Sequence, residues 1–151
     1  ARGRRGAATI RSECWLLGGM DETGLAGVRG NEDVCVVAFW PLAAGLVSGK
    51  CRDGATPEGS RRTLNPDLGG RDTAREKLAV AAYLDLAAEY GLDPVHMALA
   101  WCAGRPFVTS VIFGATTQVQ LEHVLEGAGM VLPEGLAARI DQVHRAHPLP
   151  Y

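Results

Sequence analysis

Apolar and polar positions change their period several times along the chain. Val34-Cys35-Val36-Val37-Ala38-Phe39-Trp40 is an unbroken apolar run, rich in β-branched and aromatic side chains and stopped by Pro41. Such a run predicts a strand buried on both faces, as in a parallel sheet. Phe107-Val108-Thr109-Ser110-Val111-Ile112-Phe113, stopped by Gly114, reads the same way. Ala8-Thr9-Ile10, with its continuation towards Trp15, gives a weaker strand signal. Elsewhere the period lengthens to that of a helix. Thr73 and Glu76 form a capping box that opens a helix with Leu78, Ala82 and Leu86 on one stripe and Gly91 at its end. Asp93-Pro94, a cap residue followed by proline, starts a second helix carrying Val95, Ala98, Leu99 and Trp101, which breaks before Arg105-Pro106. Thr117 and Gln120 form another capping box directly after the Phe107–Phe113 strand. A last helix starts near Pro133, with Leu136, Ile140 and Val143 at helical spacing, and Pro148 and Pro150 close the pattern.

Strands alternating with helices predict an α/β fold with a parallel sheet. The 151 residues suffice for one domain with a sizeable core. Three parallel strands do not close a barrel, and a complete eight-stranded βα barrel takes about 250 residues. The alternatives are a small open sheet or part of something larger. The polar stretch from Gly49 to Arg71 is long for a connection, and loops of that length inside a domain are usually functional.

Composition narrows the partners. At 47% apolar the chain is too hydrophobic for a disordered tail. Fifteen Lys and Arg against seventeen Asp and Glu give a formal charge of −2, so no basic field draws in nucleic acid or anionic lipid. The most apolar stretch, Val34–Val47, contains Pro41 and falls short of the roughly 20 residues of a membrane-spanning helix. Arg2, Arg4 and Arg5 have no apolar segment behind them, so no signal peptide is read, and a start at alanine suggests a trimmed or incomplete chain. Cys14, Cys35, Cys51 and Cys102 are isolated, which favours reduced, inert thiols and a cytoplasmic setting.

Few motifs carry chemistry. Gly45-Leu46-Val47-Ser48-Gly49-Lys50-Cys51 is one residue too short for a P-loop, and Cys51 replaces its magnesium-binding hydroxyl. No G-x-G-x-x-G follows a strand, and no G-x-S-x-G offers a serine nucleophile. Gly114-Ala115-Thr116-Thr117 joins a strand end to a helix start, where free N–H groups and the helix dipole favour an anion; a plain capped turn explains it too. Lys50, Arg61 and Arg62 on the long loop could add positive charge to that anion. His96 and His123 stand apart, and the His144–His147 pair makes a poor metal site, so surface histidines and no metal are expected. Trp40, Trp101, Tyr83 and Tyr90 read as core.

Three stretches taken in order resemble the aldo/keto reductases. Ala38-Phe39-Trp40-Pro41-Leu42-Ala43-Ala44-Gly45-Leu46-Val47-Ser48-Gly49-Lys50 is similar to that family's A-Y-S-P-L-x-x-G-x-L-T-G-K segment. Asp93-Pro94-Val95-His96-Met97-Ala98-Leu99-Ala100-Trp101 resembles its T-P-x-Q-x-A-L-A-W helix. Val111-Ile112-Phe113-Gly114-Ala115-Thr116-Thr117, followed by Gln120-Leu121, resembles its V-I-x-G-A-x-x-x-x-Q-L segment. The agreement runs from about Thr9 to His147, and the nearest branch is that of bacterial reductases related to potassium-channel β subunits. The resemblance implies the C-terminal part of a (β/α)8 TIM barrel: the last three βα units plus a C-terminal helix, an incomplete barrel domain over 1–151 with a cofactor-side loop over 49–71.

It also implies hydride transfer between NADPH and an aldehyde or ketone. On this resemblance Phe39 stacks on the nicotinamide, Pro41, Leu42 and Ala43 line the pyrophosphate, and Lys50 and Arg61 clamp the cofactor. Gly114 and Thr116 meet the 2′-phosphate side, with Gln120 near the adenosine. The chain departs from the family at Arg11 and Ser12 (Gln and Asn), at Trp40 (Ser), and at His123 and Val124 (an acidic residue and Asn). The family's Asp, Tyr, Lys and His tetrad belongs to the first half of the barrel, so no residue here is assigned a catalytic role and the chain alone is expected to be inactive. An open half-barrel invites self-association or pairing with a separately encoded first half. The alternative is a non-catalytic remnant or interaction module of the same fold, favoured by Arg11, Trp40 and Val124.

Overall fold

Three five-residue strands, β1 (Thr9–Glu13), β2 (Cys35–Phe39) and β3 (Val108–Ile112), pair in parallel in the order β1-β2-β3. The computed structural model describes residues 9–18, 35–68, 70, 72–148 and 150. Arg2, Arg4, Arg5, Ala8, Val34 and Arg71, used in the sequence reading, lie outside the described residues. Spatial order follows chain order, as in a βα barrel and unlike a Rossmann-type sheet, whose order reverses at a switch point.

The strands are buried on one face, not on both as their apolar runs suggested. Val36 and Ala38 are fully buried, whereas Val37 and Phe39 are half-buried and Thr109, Ser110 and Ile112 are exposed. Helices cover the Ala38 side, and among the described residues no second layer covers the other. Trp40 leaves the strand and turns away from extended backbone.

Five α-helices, α1 (Arg61–Leu64), α2 (Ala74–Glu89), α3 (Pro94–Ala103), α4 (Gln118–Glu126) and α5 (Leu136–Ala146), and two short 3-10 helices, Ala43–Ser48 and Arg52–Gly54, complete the described architecture. The short α1 lies within the long polar stretch, which Leu68, 4% exposed, pins to the core. Thr73 caps α2 by accepting the Glu76 N–H at 3.0 Å. The reciprocal half of that capping box does not form, because the Glu76 side chain is buried instead. The stripe through Leu78 is corrected as well. Leu78 is 64% exposed, and the inward face runs through Glu76, Ala79, Tyr83, Leu86 and Ala87. Steps of three and four residues keep that set on one face, whereas repeated steps of four drift around the helix.

Asp93 caps α3 as its sequence predicts, with Oδ1 accepting from the N–H groups of Val95 (2.8 Å) and His96 (3.1 Å). The Cys102 thiol on α3 donates to the Cys14 carbonyl at 3.0 Å, tying the helix to the segment after β1. The neighbouring Cys14 side chain and burial push the Cys102 thiol well up. All four cysteines are free; Cys14 and Cys102 are buried, but Cys35 is exposed. The core joins Trp15, Leu16 and Leu17 to Ala38, Val47, Tyr83, Met97 and Trp101, and α5 adds Leu136 and Ile140 one turn apart. None of the described helices is long and apolar enough to cross a membrane.

Candidate functional site

Register places the site. Phe39 pairs with Ile112 and Ala38 with Val111, so β2 and β3 end at the same edge of the sheet. The loops that leave these ends border a cleft of about 730 Å³. In parallel α/β structures ligands gather beyond the carboxyl ends of the strands.

The first rim is strained. Trp40 has φ 67°, Ala43 φ 50° and Ala44 φ 57°, left-handed values that cost an L-residue roughly 1–2 kcal/mol each. Trp40 is the most conspicuous, being bulky and followed by proline, which itself favours extended backbone in the preceding residue. The loop is held by hydrogen bonds from Ala43 N–H to the Trp40 carbonyl (3.0 Å) and from Gly45 N–H to the Leu42 carbonyl (2.8 Å). The Trp40 ring meets Trp15 edge-on, 5.7 Å between centroids. Trp40 thus packs against the edge of the core, half-buried, and also forms a wall of the cleft.

Gly45, at φ 93°, permits the next feature. A Cβ there would lie 2.8 Å from Lys50 Cε and 3.0 Å from Nζ, so the lysine folds over bare backbone. The Ser48 hydroxyl closes the same turn by donating to the Gly45 carbonyl at 2.6 Å.

The second rim runs from Phe113 through Thr117 into α4. Thr117 accepts the Gln120 N–H at 3.2 Å, the expected half of its capping box. Gln120 reaches one residue further back than the motif predicts, and its Oε1 accepts from the N–H and the hydroxyl of Thr116 (3.0 and 3.1 Å). That clamp holds the loop against the helix start.

Of the nine residues that the resemblance places at the cofactor, Phe39, Pro41, Leu42, Lys50, Arg61, Gly114, Thr116 and Gln120 line the cleft. Ala43 does not line it; its side chain is 1% exposed and packs into the core, because its left-handed backbone turns the Cβ inward. Arg11 and Ser12 do not line it either, whereas Trp40, His123 and Val124 do. Lys50 and Arg61 bring positive charge, and no described Asp or Glu lines the cleft. Arg62, grouped with them in sequence, is corrected: it pairs with Asp72, which Lys77 also approaches at 3.1 Å. Burial would raise the Asp72 pKa, but Lys77 and Arg62 outweigh it and hold the carboxyl below its usual range. Arg62 thus ties α1 to the segment just before α2 and leaves its neighbour Arg61 at the cleft.

The far wall corrects the reading of two isolated surface histidines. His123 Nε2 donates to Asp93 Oδ2 at 3.0 Å, and His96 Nε2 donates to the His123 carbonyl at 2.6 Å. The two rings lie 4.9 Å apart. No local period announces this cluster, since α3 and α4 meet only through the fold. Chemically, the cleft offers an aromatic face at Phe39, apolar walls at Val95, Ile112 and Phe113, and two cations. Such a lining suits a flat ring carried on anionic groups.

Comparison with known proteins identifies the family of the chain. The profile described as "Aldo/keto reductase family" matches residues 8–145. The chain is 39% identical over 142 residues to Protein tas of Escherichia coli, covering 94% of this chain and 41% of that protein. It is 31% identical over 132 residues to a probable voltage-gated potassium channel subunit beta of Arabidopsis thaliana, covering 84% and 40%. It is also 31% identical over 132 residues to an L-glyceraldehyde 3-phosphate reductase of Escherichia coli, covering 82% and 37%. A solved glycerol dehydrogenase from Gluconobacter oxydans superposes with a TM-score of 0.71 at 22% identity, covering 94% of this chain and 43% of that one. The chain thus spans about two fifths of the length of these proteins.

Proposed function

The chain belongs to the aldo/keto reductase family, and on that premise we propose that it is the C-terminal, NADP(H)-binding portion of an oxidoreductase acting on an aldehyde or ketone. One observation carries this reading: the two motif-bearing rims, at Phe39–Gly45 and Gly114–Gln120, border the same cleft. Phe39 would hold the nicotinamide by offering its ring a flat surface, and the bound cofactor would supply the hydride. Lys50 and Arg61 would neutralise the phosphates, and Thr116, clamped by Gln120, would offer its hydroxyl at the same rim. No cofactor is part of the structure, and the donor set fits one: cations without competing carboxylates, beside an aromatic floor.

The proton that completes carbonyl reduction needs an acid of suitable pKa within hydrogen-bond reach of the carbonyl oxygen. Among the described residues the cleft is lined by no tyrosine and no carboxyl group. Our reading therefore gives this chain the cofactor side, and gives the proton donor to the other part of the complete enzyme. Titrating the protein with NADPH while following tryptophan fluorescence tests the reading, because Trp40 borders the cleft. Saturable quenching with no carbonyl-dependent NADPH oxidation supports it; absence of saturable quenching overturns it in favour of a non-binding remnant of the fold.

A further inference from the structure

Asp93, His96 and His123 each bring one possible ligand atom to within 4.8 Å of the other two. We propose that these three side chains form a binding site for a late first-row divalent ion, with Zn²⁺ as the reference occupant, where α3 meets α4 behind the cleft-lining His123. Two imidazoles and one carboxylate are the donor set that suits such ions over magnesium or calcium.

The Asp93–His123 part of the geometry is preformed, and the His96 ring must shift to complete it. His123 Nε2 and Asp93 Oδ2 are 3.0 Å apart, within the ~3.0–3.5 Å expected of two ligands about 2.1 Å from one ion. Asp93 Oδ1 already accepts two backbone N–H groups, which fixes the carboxylate and leaves Oδ2 to coordinate. His123 needs only to move its proton from Nε2 to Nδ1 to present a lone pair, since neutral imidazole has two tautomers.

His96 has its room set by Gly127. A Cβ at residue 127 would come within 2.5 Å of the His96 ring, so glycine alone lets the ring lie where it does. All three ligands stand on or at the start of regular helices, which hold a site more firmly than loops. Asp93, His96 and His123 are each partly accessible, leaving a path for an ion. The hydrogen bonds now joining them are those an ion would exchange for coordination.

Calorimetric titration of the metal-free protein with Zn²⁺ tests the site, with Co²⁺ absorption as a second readout of imidazole ligation. One equivalent is expected to bind. Asp93→Asn preserves the helix cap and removes the anionic ligand, so it is expected to weaken binding roughly 10-fold or more, as is His123→Ala. His147→Ala, remote in sequence, is expected to bind as the parent does. Circular dichroism checks that the variants fold. Absence of stoichiometric binding overturns the proposal, as does binding that Asp93→Asn and His123→Ala leave unchanged. Neither outcome bears on NADPH binding, which is read separately.

Discussion

Phe39 stands opposite Ile112 in the parallel pairing of β2 with β3. The two loops that follow these residues therefore start at the same height and side by side. That pairing turns two motifs separated by about seventy residues of sequence into one cleft, and the cofactor assignment depends on it.

Charge in the cleft should be measurable. Replacing Lys50 or Arg61 by alanine is expected to raise the Kd for NADPH roughly 10-fold each, since charge-assisted hydrogen bonds contribute about 1.5–3 kcal/mol. The parent's affinity should also fall with added salt more steeply than that of either variant. Fluorescence titrations at two ionic strengths check both expectations.

Gly45→Ala tests the first rim without removing a charge. Its Cβ would sit at φ 93° and against Lys50 Cε, so both backbone and lysine must shift. The expected cost is about 1–2 kcal/mol in urea unfolding, accompanied by weaker NADPH binding. Full stability together with parental affinity would show that Lys50 does not depend on the bare backbone.

Glu76 makes stability depend on pH. The residue is 1% exposed, and neither carboxylate oxygen has a hydrogen-bond partner. Burial, helped by nearby Asp72, pushes its pKa up from 4.5 to about 7. The native state then holds this proton more tightly than the unfolded chain. The stabilisation from the protonated form is present below pH 4.5 and is lost as pH rises through about 7. Glu76→Gln, which stays neutral, is expected to flatten the fall in urea midpoint between pH 5 and 8. An equal slope in parent and variant would contradict this assignment.

The sequence disclosed the elements better than their surroundings. Val34–Trp40 and Phe107–Phe113 announced strands, because short runs rich in β-branched and aromatic residues have few other uses, and Asp93-Pro94 announced a helix start through local capping chemistry. Burial was less legible. The apolar runs suggested two covered faces, yet Ile112 is exposed, since coverage depends on what packs from elsewhere in the fold. Glu76 was read only as half of a capping box, for a charged letter gives no sign of burial. Most of the cleft lining followed from motif resemblance, while the left-handed backbone that turns Ala43 into the core had no local signature. The Asp93–His123 pair was invisible because thirty residues separate two side chains that meet across α3 and α4.

Amide hydrogen exchange with and without saturating NADPH tests the central claim most directly. The account predicts simultaneous protection of two peptides, one spanning residues 38–50 and the other residues 113–120. Saturation with NADPH that protects only one of these segments, or neither, would contradict the single cleft on which the assignment rests.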